Sequence, residues 1–218
     1  MTPAPAHAEA RTRAPLHDLP DALRHEQALA KVLGRATATL AMPEAARALV
    51  TAGLTRLTQR RPVVLAVPTS TEAERLAHDL AAYLGDDRVE LFPAWETLPF
   101  ERVSPGVETM GRRLRVLWRL RDPERAPDVV VASVRALVQR LGPHVEDIEP
   151  ITVGPGQQVD RDDLVADLVA AGYRREEMVE HRGEVAVRGS IVDVFPSTAD
   201  RPVRVDLWGD EVDRLTEF

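Results

Sequence analysis

Apolar residues recur at helical spacing after Pro43, at Ala46, Leu49, Val50, Leu54 and Leu57, which predicts a helix with that stripe buried. The run Val63-Val64-Leu65-Ala66-Val67 follows with no polar interruption, the pattern of a strand covered on both faces in a parallel sheet. Thr69 and Thr71 each stand three residues before a glutamate (Glu72, Glu74). These are capping-box signals for a helix through Ala73, Leu76, Ala77, Leu80 and Leu84 that stops at Gly85. A strand at Val89-Glu90-Leu91-Phe92, a helix carrying Met110, Leu114, Leu117 and Trp118, and a third strand at Val129-Val130-Val131 repeat the alternation. The first part of the chain therefore reads as an α/β unit built on a parallel sheet.

The pattern changes after Gly142-Pro143. One helix runs from Asp160 to about Ala171 and closes at Gly172, and strands then follow in quick succession with no helix between them, which predicts an α+β unit with antiparallel pairing. Here Val203, Val205 and Leu207 alternate with Arg204, Asp206 and Trp208, and Gly209-Asp210 suits a tight type II′ turn. One face of that strand is core and the other is available. No internal repeat or heptad pattern is visible, and the Pro/Ala-rich start reads as a mobile tail. The expected division is a flexible tail over 1–25, an α/β unit over 26–143 and an α+β unit over 144–218.

Charge supports two units. The net charge of −7 divides into 20 basic and 17 acidic side chains over residues 1–144 and 8 basic against 18 acidic over 145–218. So acidic a second half repels phosphate and suits a protein partner better than nucleic acid. With 44% hydrophobic and 29% charged residues the chain has the composition of a folded globular protein. The absence of cysteine removes disulfides, thiolate metal sites and cysteine nucleophiles, and fits a reducing cytoplasm. No apolar run is long enough to cross a membrane.

Little in the sequence supports catalysis. A phosphate-binding loop needs glycines, then a lysine and a Ser/Thr; GRATATL at 34–40 has one glycine and no lysine after it. Gly154-Pro155-Gly156 reads as a turn, since Pro155 removes a donor. Asp160, Asp162 and Asp163 read as helix-start carboxylates and Asp86-Asp87 as surface charge. His7, His17, His25, His78, His144 and His181 show no metal-ligand spacing. Arg112, Arg115 and Arg119 share a helical face and have three candidate partners: phosphates, acidic side chains of this chain, or water, with the solvated face favoured. Trp208 beside Arg204 on an outward strand face is costly to leave bare, so it is either covered within the chain or serves as a protein-binding hot spot. Arg188, in GEVAVRG on another strand, joins them under the second reading.

Two stretches, EHRGEVAVRGSIVDVFP and RPVRVDLWGDEVDRLTEF, resemble the second domain shared by UvrB and the transcription-repair coupling factors. Upstream, VVLAVPTSTEAERLAHDL, LFPAWETLPFERVSP and VVVASVRALVQRLGPH resemble the first, helicase-like domain of the same module, so the likeness spans residues 28 to 218. The WETLPFE segment and the missing glycine-lysine loop favour the coupling factor; a UvrB-type excision-nuclease subunit or another ATP-dependent helicase fragment is the alternative. The resemblance implies a degenerate, P-loop NTPase-like parallel-sheet domain followed by a smaller antiparallel UvrB-interaction domain. It implies a fragment that recruits UvrA to stalled RNA polymerase, without catalysis or cofactor of its own. ATP and magnesium would serve a motor absent from this chain, and RNA polymerase and double-stranded DNA would bind other absent parts. By motif position the UvrA contacts fall on Arg188, Arg204 and Trp208, with Trp208 where a Phe is usual, and with Asp206 and Glu184 as candidates to orient the arginines.

Overall fold

The computed structural model describes residues 15–58, 60–97 and 104–218. Its first part carries short helices α1 (Leu19–Ala22) and α2 (Gln27–Ala30), then α3 (Arg47–Thr58), β1 (Val63–Val67), α4 (Ser70–Leu84), β2 (Val89–Phe92), α5 (Val107–Leu120), β3 (Val129–Ser133) and α6 (Val134–Val138). The three strands form a parallel sheet in the order β1-β3-β2, with Val63 and Val89 both level with Val129. Parallel neighbours need crossovers, and here the crossovers include α4 and α5. The capping box is realised at Thr69, whose hydroxyl accepts from the Glu72 N–H at 3.2 Å; Thr71 lies inside the helix.

Four expectations need correction. Residues 15–25, read as tail, form helical turns that pack against α3 and α4, with Pro20 buried and Asp21 bonded to Arg56 at 2.9 Å. The buried stripe of α3 is Ala48, Ala52 and Thr55 rather than the larger residues, which are only partly covered. Small side chains win there because neighbours come close: a Cβ added at Gly53 would lie 2.6 Å from Leu23 Cδ1. On α5 the buried positions are Arg113 and Val116, while Met110 is exposed. The guanidinium of Arg113 lies between the rings of Phe92 and Trp95, 4.1 and 4.4 Å from their centroids, and donates to the Pro93 carbonyl at 2.6 Å.

The fourth correction concerns β1. Val63, Leu65 and Val67 face the α3/α4 side with Val129 and Val131, but Val64 and Ala66 are exposed, so the strand is covered on one face only. The other face of the sheet is covered over β2 and β3, where Phe92, Val130 and Ala132 meet Val116 of α5 and Ala136 of α6. β1 is an edge strand of the sheet, and its Val64 and Ala66 side chains stay exposed on that side.

The second part holds α7 (Arg161–Ala170), β4 (Arg174–Arg175), β5 (Glu184–Arg188), β6 (Ile191–Val194), β7 (Val203–Trp208) and β8 (Glu211–Glu217). The sheet order is β4-β5-β6-β7-β8. Pairing is antiparallel from β5 to β8, as expected, but β4 runs parallel to β5, so the sheet is mixed. Asp160 caps α7 by accepting from the Asp162 and Asp163 N–H groups at 2.8 and 2.9 Å. Gly209 has φ 62° and Asp210 a negative φ, the combination a type II′ turn requires.

Helix α5 meets the second part where side chains are missing. A Cβ at Gly183 would lie 2.7 Å from Val107, and one at Gly111 would overlap Ser197. Arg182, held within the second part by the Ala199 carbonyl and Asp200 at 2.8 and 3.1 Å, crosses the seam to Glu108 at 3.7 Å. Gly111→Val should therefore destabilise the protein by about 1–3 kcal/mol through overpacking, read as a lower urea midpoint. An unchanged midpoint would show that the seam yields freely.

Candidate partner-binding face

The second sheet has two chemically distinct faces. Val185, Val192, Val194, Val205, Leu207 and Val212 bury one of them against Leu164, Val165 and Leu168 of α7. Strand alternation then sends Glu184, Ala186 and Arg188, Ile191 and Asp193, and Arg204, Asp206 and Trp208 to the other face. Arg188 stands opposite Ile191, which stands opposite Asp206; one row along, Asp193 stands opposite Arg204. The three singled-out residues therefore share one face, with Arg188 two strands from Arg204 and Trp208 on the strand of Arg204. At about 4.8 Å between strands, the arginines are within the span of one protein epitope.

Their surroundings differ. Trp208 is 85% exposed, so nothing among the described residues covers the indole. Arg188 is exposed and donates once, from Nη2 to the Glu177 carbonyl at 3.1 Å. Arg204 is held more firmly: Nε and Nη2 donate to the two carboxylate oxygens of Asp193 at 2.7 and 2.8 Å. Its Cζ lies 5.1 Å from the centroid of the Phe218 ring. The hydrogen bond and charge of Asp193, with a smaller contribution from Asp206, raise the Arg204 pKa above the ordinary arginine value.

Asp193 was not among the residues expected to orient the arginines. Asp206 bonds Arg214 at 3.3 Å instead. Glu184, 5% exposed, accepts from the Glu180 and His181 N–H groups at 2.9 and 2.8 Å and from Arg174 at 2.9 Å, tying the 176–182 loop and β4 to the sheet. The interruption of Ile-Val-Asp-Val by a charge was the available signal for Asp193, but its partner depends on strand register.

The remaining candidates lie elsewhere. Gly34 follows α2 rather than a strand, and the backbone from Arg35 to Pro43 is irregular before the first helical turn at Glu44. The arginine face of α5 is committed within the chain: Arg112 pairs with Glu108 at 2.6 Å, and Arg115 and Arg119 both reach Glu90, at 2.9 and 2.6 Å. The WETLPFE segment is described only through Thr97. Among the described residues no group of three or more His, Cys, Asp or Glu is placed to hold a metal, and no helix is long and apolar enough to cross a membrane.

Comparison with known proteins places the second part of the chain in a described family. Residues 151–218 match the family described as the UvrB interaction domain, which contains every strand from β4 to β8. Over 185 residues, 83% of the chain, it is 45% identical to the transcription-repair-coupling factor of Mycobacterium tuberculosis (strain CDC 1551 / Oshkosh). It is 34% identical to that of Escherichia coli (strain K12) over 93% of the chain, and 34% identical to that of Bacillus subtilis (strain 168) over 79%. The chain is a homologue of the transcription-repair-coupling factors over most of its length and carries a UvrB interaction domain. It spans only 15%, 16% and 14% of those three relatives.

The buried carboxylate at the β4 side of the face has a pH signature. The backbone N–H groups of Glu180 and then His181 hold the Glu184 carboxyl below the ordinary carboxylate value, against the opposing push of burial, with His181 and Arg174 adding to the effect. A lowered folded-state pKa means stability that is present above the unfolded value and lost as pH falls through the folded one. Glu184→Gln should accordingly be less stable at neutral pH and show a flatter acid limb when urea midpoints are followed from pH 7 downward. A variant whose profile superimposes on wild type would remove Glu184 from the acid response.

Proposed function

We propose that this chain is the UvrA-recruiting module of a transcription-repair coupling factor. The observation that carries the reading is the Arg188/Arg204/Trp208 face on the sheet of the UvrB interaction domain, where an indole that is 85% exposed shares one outer face with two arginines and acidic neighbours. Trp and Arg are the residue types in which binding energy concentrates. UvrA is the partner implied by the sequence resemblance, and the geometry suits a protein surface offering carboxylates around an apolar depression.

On this reading residues 26–143 form a helicase-like domain whose nucleotide site has degenerated, and 144–218 form the recruiting domain. The missing lysine and the irregular backbone after Gly34 support the first assignment. Catalysis, ATP and magnesium belong to a motor outside these residues, as do the contacts to RNA polymerase and duplex DNA, and the protein works in the cytoplasm.

Trp208→Ala is the cleanest test, because the ring contributes little to the fold. It should weaken binding of purified UvrA by about 2 kcal/mol in calorimetric titration, as should Arg188→Ala. Wild-type affinity in folded variants of both would discard this face. In a separate titration, a fluorescent ATP analogue with magnesium should show no saturable binding; saturation would instead support an ATP-dependent enzyme reading.

A further inference from the structure

Asp193 occupies a position that chain energetics alone do not favour. It interrupts an apolar strand, points to the outer face, and is nonetheless only 5% exposed. A carboxylate withdrawn from water in mid-strand is costly unless its oxygens are matched. Here both are matched by a single group, since Arg204 Nε and Nη2 each take one oxygen. Two parallel bonds fix a guanidinium in plane and in rotation as one bond cannot. The Phe218 ring lies 5.1 Å from the same guanidinium.

A guanidinium carries five N–H donors in a fixed fork. The bonds to Asp193 use the Nε edge, and Nη1 makes no hydrogen bond among the described residues, so the edge formed by Nη1 and the outer Nη2 hydrogen is uncommitted there, on a side chain that is 37% exposed. Arg188, tethered by one bond, has no such constraint. We propose that Asp193 is a positioning residue for partner recruitment: it holds Arg204 so that the free edge of its guanidinium receives a carboxylate of the partner two-pronged, without touching the partner itself. The proposal rests on the recruitment reading above. Its physical content is preorganisation, since an arginine already immobilised loses less side-chain freedom on binding.

The test is a double-mutant cycle read by calorimetric titration with purified UvrA, using wild type, Asp193→Asn, Arg204→Ala and the double variant, each checked for a cooperative melt. Asp193→Asn should raise Kd about tenfold, within the range seen for residues in direct contact. In the Arg204→Ala background the same change should have no further effect. An equal effect in both backgrounds would make Asp193 merely structural, and wild-type affinity of Asp193→Asn beside a weakened Arg204→Ala would overturn the positioning role alone. Failure of folded wild type to bind UvrA would remove the recruitment reading and this proposal with it. Should Asp193→Asn not fold, Arg204→Lys keeps the charge but not the fork; it should bind as weakly as Arg204→Ala, and wild-type binding by it would overturn the proposal.

Discussion

The inner face of the second sheet must be buried against α7, and the chemistry of the outer face depends on that constraint. Side chains on a strand alternate, so a one-residue slip of β7 would turn Val205 and Leu207 out and bring Arg204 and Trp208 in. Burying a guanidinium and an indole in place of two aliphatic residues is costly enough to hold the register. The tight turns at Gly189 and Gly209, both at φ 62°, hold it from the ends of the hairpins. The arrangement of arginines and tryptophan is thus secured by residues buried on the opposite face of the sheet.

A second constraint operates where the two parts meet. Helix α5 presents Val107 and Gly111 to the second part and sends Arg113 and Val116 inward, so it is packed on two sides at once. Its arginines are accordingly spent on internal work. Arg115 and Arg119 neutralise Glu90, which is 9% exposed on β2, and Arg119 also donates to the Asp87 and Arg125 carbonyls at 2.6 and 2.9 Å. A face of cations expected to lie mainly in water turns out, at Arg115 and Arg119, to keep a buried strand carboxylate satisfied.

What was legible in the sequence was whatever periodicity and local capping determine. The strands at 63–67, 89–92 and 129–131, the helix capped by Thr69 and the alternation in Val203–Trp208 all stand where the pattern placed them. What was not legible depended on neighbours distant in the chain. The stripe of α3 shifted to Ala48, Ala52 and Thr55 because its two alanines pack with Ala73, Leu76 and Leu80 of α4. Arg113 is buried because two aromatic rings from the β2 side enclose it, which no helical wheel reveals. In the candidate site, Arg204 and Trp208 were readable from alternation, whereas the partnership with Asp193 required the β6–β7 register, set across the 195–202 connection.

The uncovered side of β1 bears on how this chain behaves in solution. Val64 is 56% exposed on an edge strand, and Val134, Leu137 and Val138 of the neighbouring segment are exposed at 51%, 45% and 73%. An open row of backbone donors and acceptors beside oily side chains is a template for another strand, whichever chain supplies it. Sulfate and phosphate, which strengthen apolar burial, would promote such clumping.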